Sequence, residues 1–153
     1  MELRRATIED SECLWMMQKK AFLQLYEKYQ DHDTNPANES IEKVNIRLCQ
    51  TFTYYYYIIE NNDTVGAVRI VDRKDETPKR ISPIFIMDEF RRMGYARQAI
   101  LEAERIHGSH NWELETILEE DGNCRLYESL GYIRTGKTEK INDRMTLVYY
   151  IKE

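Results

Sequence analysis

Ile84-Phe85-Ile86-Met87-Asp88-Glu89-Phe90-Arg91-Arg92-Met93-Gly94-Tyr95-Ala96 passes from an apolar strand, through a basic turn, into a helix. Beyond the turn, Ala96, Ala99, Ile100 and Ala103 recur on one helical face through to His107. A helix start carries backbone N–H groups without acceptors and the positive end of the helix dipole, so it offers a phosphate ready-made donors. Gly94 and Ala96 leave room for close approach, and Arg91 and Arg92 add charge. A plain turn carrying a solvated arginine pair reads the same over these six residues, so the flanking sequence has to decide.

Upstream, Leu3 to Thr7 suits a short first strand, and Glu9, Asp10 and Ser11 supply helix-start chemistry. Leu14, Met17, Ala21 and Leu25 then recur at helical spacing, with Phe22, Tyr26 and Tyr29 broadening the stripe. Turn formers cluster from Asp31 to Pro36, and a second helix begins near Asn38-Glu39-Ser40 and runs through Ile41, Val44, Ile46 and Leu48. Thr51 to Ile59 and Val65 to Val71 are rich in β-branched and aromatic residues, and Asn61-Asn62-Asp63 between them predicts a hairpin. The run Tyr54-Tyr55-Tyr56-Tyr57 should send Tyr54 and Tyr56 to one face and Tyr55 and Tyr57 to the other. Arg80 to Met87 is the strand that feeds the basic turn.

Downstream, strands are expected at Trp112 to Leu118, Tyr132 to Lys137 and Met145 to Ile151, with a short helix from Asn123 to Leu130. The order β, α, α, β, β, β, α, β, α, β, β predicts one α/β or α+β domain over residues 1–153, with helices on both faces of the sheet. At 153 residues the chain can bury about 68–70% of the surface its unfolded form exposes, so its stability requires no disulfide or metal. Cys13, Cys49 and Cys124 lie far apart, with no Cys-x-x-Cys or Cys/His grouping that could hold zinc. Residues 1–20 are interrupted by charges and no stretch reaches membrane-spanning length, so the expectation is a cytoplasmic protein with no membrane partner. A net charge of −5 without a long basic run argues against nucleic acid as a partner and suits a cationic one.

Asp121-Gly122-Asn123-Cys124-Arg125-Leu126-Tyr127-Glu128-Ser129-Leu130-Gly131-Tyr132 places Asn123 and Tyr127 four residues apart, on one helical face. Together they can address one ligand. The alternative is a helix cap at Asn123, a core tyrosine at Tyr127 and a helix stop at Gly131. Cys124 has no histidine near it in sequence to activate it as a nucleophile, and free cysteine commonly serves as a small buried hydrophobe.

Taken together, these segments resemble the GNAT superfamily of N-acetyltransferases. Arg91-Arg92-Met93-Gly94-Tyr95-Ala96 matches its Gln/Arg-x-x-Gly-x-Gly/Ala signature, and Asn123 through Tyr132 is similar to its later Asn and Tyr-x-x-x-Gly-Tyr/Phe segment. One departure is Asp88, where the family often has proline. The resemblance implies a mixed, mostly antiparallel sheet of about seven strands, and acetyl-CoA as cosubstrate with no metal. Arg91, Arg92, Met93, Gly94, Tyr95 and Ala96 would hold the pyrophosphate, and the backbone of Ile84, Phe85 and Ile86 would face the pantetheine arm on a strand that splays from its neighbour. Asn123 would bond the coenzyme, and Tyr127 would stand near the thioester sulfur as proton donor, a role that suits a phenol still protonated near neutral pH.

Direct transfer needs a neutral amine, yet a lysine-like amine is only about 0.04% neutral at pH 7, a deficit of roughly 4.6 kcal/mol. Glu113 and Glu115 share a face of their strand and either is a base candidate; Glu115, further along, is the choice, although a pair of acids at a strand end is often simply solvated. Acids beside aromatics can hold an ammonium group, which nominates Tyr26, Asp31 and Asp33 as the acceptor site, with His32 as a surface neighbour. The expected partner is a small-molecule or peptide amine, with a homodimer possible through a sheet edge. The rival reading is a catalytically silent coenzyme A sensor or regulatory module using the same cleft.

Overall fold

The computed structural model describes residues 1–153. Its strands are β1 (Glu2–Arg5), β2 (Thr53–Glu60), β3 (Asp63–Val71), β4 (Lys79–Ile86), β5 (Trp112–Ile117), β6 (Ile133–Asn142) and β7 (Met145–Lys152). Its helices are α1 (Ser11–Tyr29), α2 (Ile41–Cys49), α3 (Tyr95–His107) and α4 (Asp121–Ser129). The strands form one seven-stranded sheet in the order β1-β2-β3-β4-β5-β7-β6, antiparallel except between β4 and β5. Both the element order and the sheet type are those expected.

The β2–β3 hairpin turns on Asn61 and Asn62, both at positive φ, the conformation whose twist matches paired antiparallel strands. Tyr55 packs with Ala67 and Phe85 against Leu14 and Ala21 of α1 and Val44 of α2. On the opposite face, Tyr56, Ile58, Val68 and Ile70 pack with Ala99, Ile100 and Ala103 of α3 and Cys124 and Tyr127 of α4. The four tyrosines alternate as predicted: the Tyr55 and Tyr57 hydroxyls reach Gln18 and Asp10, while Tyr54 and Tyr56 meet His107.

Several local expectations shift. Thr7 leaves the first strand because its N–H is taken by Asp10 Oδ2 at 2.8 Å, which starts a single 3₁₀ turn. Ile46 lies on the solvent side of α2, off the apolar stripe. The apolar stripe of α1 is interrupted by fully buried Gln18, whose amide bonds Pro36 O, Glu39 Oε1 and the Tyr55 hydroxyl and so fixes the α1–α2 loop. β6 runs five residues past Lys137, to Asn142; as an edge strand exposed on both faces it lacks the apolar alternation that would reveal its length.

The feature that positions the site is the junction of β4 and β5. These parallel strands pair only at Lys79↔Trp112 and Arg80↔Glu113, although β4 continues to Ile86 and β5 to Ile117. Beyond Arg80 the two strands diverge, leaving a wedge whose wall includes unpaired backbone of β4. The trace of β4 at this place is set by Gly66, across the sheet from Ile86, where any Cβ would overlap the Phe85 carbonyl oxygen. No helix is long and apolar enough to cross a membrane.

Candidate active site

Two cavities open from the wedge and share Phe22, Leu25, Ile84, Asn123 and Tyr127. One, of about 530 Å³, runs along the end of β4 to the start of α3 and is lined by Ile84, Phe85, Ile86, Arg91, Arg92, Gly94, Tyr95, Ala96 and Arg97. The other, of about 290 Å³, lies toward β5, β6 and β7.

The turn into α3 is built from backbone. Gly94 occupies the helix-capping position at φ 80 with open space around its Cα, so backbone conformation rather than crowding is what requires glycine. Arg92 also adopts positive φ. As a result the N–H groups from Arg92 to Arg97 find no acceptor in the protein and cluster at the positive end of α3. The two arginines divide their work. Arg91 braces the turn: Nε donates to Ile86 O at 3.1 Å, Nη2 to Ala21 O at 2.9 Å, and Nη1 pairs with Asp88 at 3.0 Å. Asp88, the departure noted in the sequence, is thus the anchor of Arg91. The guanidinium of Arg92 has no partner in the protein and lines the cleft, while that of Arg97 bonds Ser129 Oγ at 2.7 Å. Met93 is 56% exposed and lies outside the cleft, so of the six turn residues it alone has its side chain elsewhere.

Asn123 lies in the first turn of α4 rather than capping it, the capping position being held by Glu120. Its side chain makes no hydrogen bond in the protein and lines both cavities. One turn on, Tyr127 is 7% exposed and packs edge-on to Tyr132 with ring centroids 5.9 Å apart. The Tyr127 hydroxyl bonds no protein group, and burial pushes its phenol well above the ordinary tyrosine range. Cys124 is buried, with Sγ toward the Ile117 and Leu118 carbonyls, consistent with packing rather than nucleophilic chemistry.

Glu115 lines the smaller cavity; its Oε2 accepts from Arg80 Nη2 at 2.6 Å and Oε1 is free of protein partners. Glu113 accepts from the other end of the same guanidinium at 3.0 Å. Of the three residues nominated for the acceptor, only Asp31 borders the cavity. It is 2% exposed, and its carboxylate accepts from the Thr34 N–H at 3.0 Å and from the Thr34 hydroxyl, which locks the loop. Asp33 is exposed and off the cavity, and the Tyr26 hydroxyl is bonded to His32 Nδ1 at 2.6 Å, also off it. The physical reason is the direction of the loop: Asn35 caps the 3₁₀ turn at Pro36–Asn38 and turns Asp31 and Pro36 inward, with Asp33 outward.

Two acids escaped the sequence reading. Glu139 of β6 lines the smaller cavity and accepts from the Tyr149 hydroxyl at 2.8 Å. Glu120 lines the larger one, where it accepts from Lys28 at 2.8 Å and from the Tyr29 hydroxyl, tying the end of α1 to the start of α4. Burial, the largest single influence on Glu120, pushes its carboxyl up, but these two partners outweigh it and hold the group below the ordinary range. Only the β6–β7 register and the long-range packing of α1 bring these acids in, and neither leaves a local signal. The smaller cavity thus has Asp31, Glu115 and Glu139 on its wall and no Lys, Arg or His.

A family model described as the acetyltransferase (GNAT) family matches residues 18–132. Among solved structures, a spermidine N-acetyltransferase from Vibrio cholerae, in complex with CoA and spermine, is similar at TM-score 0.75 and 19% identity, over 99% of this chain and 94% of that one. The PaiA N-acetyltransferase from Thermoplasma acidophilum, in complex with coenzyme A, is similar at TM-score 0.73 and 14% identity, over 99% and 98%. A putative streptothricin acetyltransferase from Bacillus anthracis, in complex with acetyl coenzyme A, gives TM-score 0.57 and 18% identity, over 71% and 67%. No curated protein sequence matches the chain.

Proposed function

We propose, from the premise that this chain belongs to the acetyltransferase (GNAT) family, that it transfers an acetyl group from acetyl-CoA directly to a primary amine of a small molecule or peptide. One observation carries the reading. A single continuous cleft has unpaired N–H donors and a free arginine at one end, three acids at the other, of which only Glu115 is paired with a cation, Arg80, and Tyr127 and Asn123 where the two meet. The first end suits a pyrophosphate, the second an ammonium group, and the waist the thioester.

In this reading the N–H groups from Arg92 to Arg97, with Arg92, bind the pyrophosphate, and the open edge of β4 along Ile84 to Ile86 aligns the pantetheine arm. Asn123 donates to that arm. Asp31, Glu115 and Glu139 draw in the cationic acceptor, and the free Oε1 of Glu115 takes the ammonium proton directly or through water. The amine nitrogen then attacks the thioester carbonyl, forming the C–N bond as the C–S bond breaks, and the nitrogen releases its second proton to solvent to leave the neutral amide. Tyr127 gives its proton to the departing thiolate and is reprotonated from solvent. Spermine in the Vibrio cholerae complex is a polycationic amine, which agrees with an acidic acceptor pocket.

Acetyl-CoA at about one hundred times its dissociation constant is expected to stabilise the protein by about 2.7 kcal/mol, raising Tm by roughly 5–11 °C in a melting experiment. An unchanged Tm at saturating concentration would remove the coenzyme assignment. The pH dependence follows from two groups of opposite sense. The acceptor must lose a proton to react, so kcat/KM should climb about tenfold per pH unit below the amine's pKa. Tyr127 must keep its proton, and burial raises its pKa, so the falling limb belongs above about pH 10. A decline already below about pH 9 would assign the acid to another group.

A further inference from the structure

A third cavity, of about 530 Å³, lies at the other end of α3 from the basic turn, roughly 20 Å away along the helix. It is an open depression lined by Arg5, Tyr54, Tyr56, the β3–β4 loop with Lys74, Lys79 and His107, and nothing in acetyl transfer uses it. We propose that this cavity binds a small oxyanion, a carboxylate or a phosphate, held by Arg5, Lys74 and Lys79 over the Tyr54 ring.

Three cations line the cavity without an anionic partner. Arg5 lies 4.4 Å and Lys74 5.5 Å from the centre of the Tyr54 ring, and Lys79 lies 5.3 Å from that of Trp112. None of the three forms an ion pair: Arg5 donates to Thr53 O at 3.2 Å, Lys79 to His110 O at 2.7 Å, and the Lys74 ammonium to no protein group. Cation–π contacts and carbonyls offset little of the repulsion among three cations that share one cavity. The cavity's two carboxylates form no ion pair with the three cations and leave positive charge in excess. Asp72 is committed to His107, with Oδ2 2.9 Å from Nδ1 and Oδ1 accepting from the Lys74 N–H, while Glu76 stands unpaired at the rim.

The floor supplies polar groups already in place. His107 is almost wholly buried; its Nδ1–H donates to Asp72, and Nε2 accepts from the Tyr56 hydroxyl at 2.8 Å. The Tyr54 hydroxyl is without a protein partner, and its ring packs edge-on to His107 at 4.8 Å. An oxyanion placed here would meet two ammonium groups, a guanidinium and a phenol. The volume admits a ligand of metabolite size.

His107 reports occupancy. Burial, chiefly, lowers its pKa; Asp72 raises it; Lys74 and Lys79 lower it further. An anion between the lysines cancels their repulsion and shifts the imidazole toward its charged form.

The test follows the histidine ring signals by NMR at constant ionic strength during separate titrations with sodium phosphate and sodium succinate. His32 and His110, outside the cavity, serve as controls. The expected result is a saturable shift of His107 alone in at least one series, with a half-point of ~1 mM or below; the series that saturates identifies the ligand class. An R5Q/K74Q double variant, with both changes on exposed side chains, should melt as the parent does and bind about tenfold or more weakly. Absence of a saturable shift in both series overturns the proposal, as does an unchanged half-point in the double variant.

Discussion

Tyr127→Phe is expected to lower kcat by about 10²- to 10⁴-fold, the usual contribution of a positioned general acid, while acetyl-CoA affinity stays within about a factor of two. The substitution removes one oxygen and nothing else that the fold uses. The ring packs against Tyr132 and Tyr150, which phenylalanine can do equally well, and the hydroxyl has no protein partner to strand. Stability should therefore hold, since Tyr127 lines the cavity and its hydroxyl has no protein hydrogen bond to lose. The split between kcat and coenzyme affinity distinguishes a proton donor from a core tyrosine. Equal kcat in the variant would remove Tyr127 from the chemistry.

Gly66→Ala should destabilise the protein by about 1–3 kcal/mol, the range for an overpacked core site, lowering Tm by roughly 2–12 °C. The clash is with backbone: the new Cβ meets the Phe85 carbonyl and the Ile86 Cα, so no side-chain rotamer can relieve it. Gly66 pairs with Ile86 in the sheet, so relief must come from moving the end of β4. That is the wall along which the pantetheine arm is proposed to lie, so acetyl-CoA binding should weaken along with the melting temperature. Thermal melts with and without acetyl-CoA check both effects, and a Tm within 1 °C of the parent would show that β4 yields at no cost.

How legible this was in the sequence depended on distance along the chain. Signals confined to one element were readable: the alternation of Tyr54 to Tyr57, the Asn61-Asn62 turn, the spacing of Asn123 and Tyr127 and the glycine that opens α3. Groups whose roles depend on packing between distant segments were not. Arg91 lines the cleft, but its guanidinium is also tied to Ala21 O, seventy positions away, and to Asp88, which the turn's own sequence does not reveal. Glu120 enters the cleft through Tyr29, ninety-one positions earlier. Glu139 enters through a β6–β7 register that shifts twice, and no periodicity in so polar a strand could have given it. Asp31 borders the smaller cavity, and its carboxylate is engaged by Thr34 and locks the loop that carries it, a contact that acids beside aromatics in the sequence do not reveal. The wedge between β4 and β5 was expected from resemblance alone, because divergence of two strands is a property of their pairing and not of their side chains.

Acetyl transfer from acetyl-CoA to an amine can be followed as free thiol release across a panel of primary amines from monoamines to polyamines, with the acetylated product weighed by mass spectrometry. Amine-dependent release of one thiol per acetyl group gained on nitrogen is expected, fastest with acceptors that carry a second positive charge for the Asp31, Glu115 and Glu139 wall. Firm acetyl-CoA binding with no thiol release from any amine would contradict it and leave a coenzyme A sensor in its place.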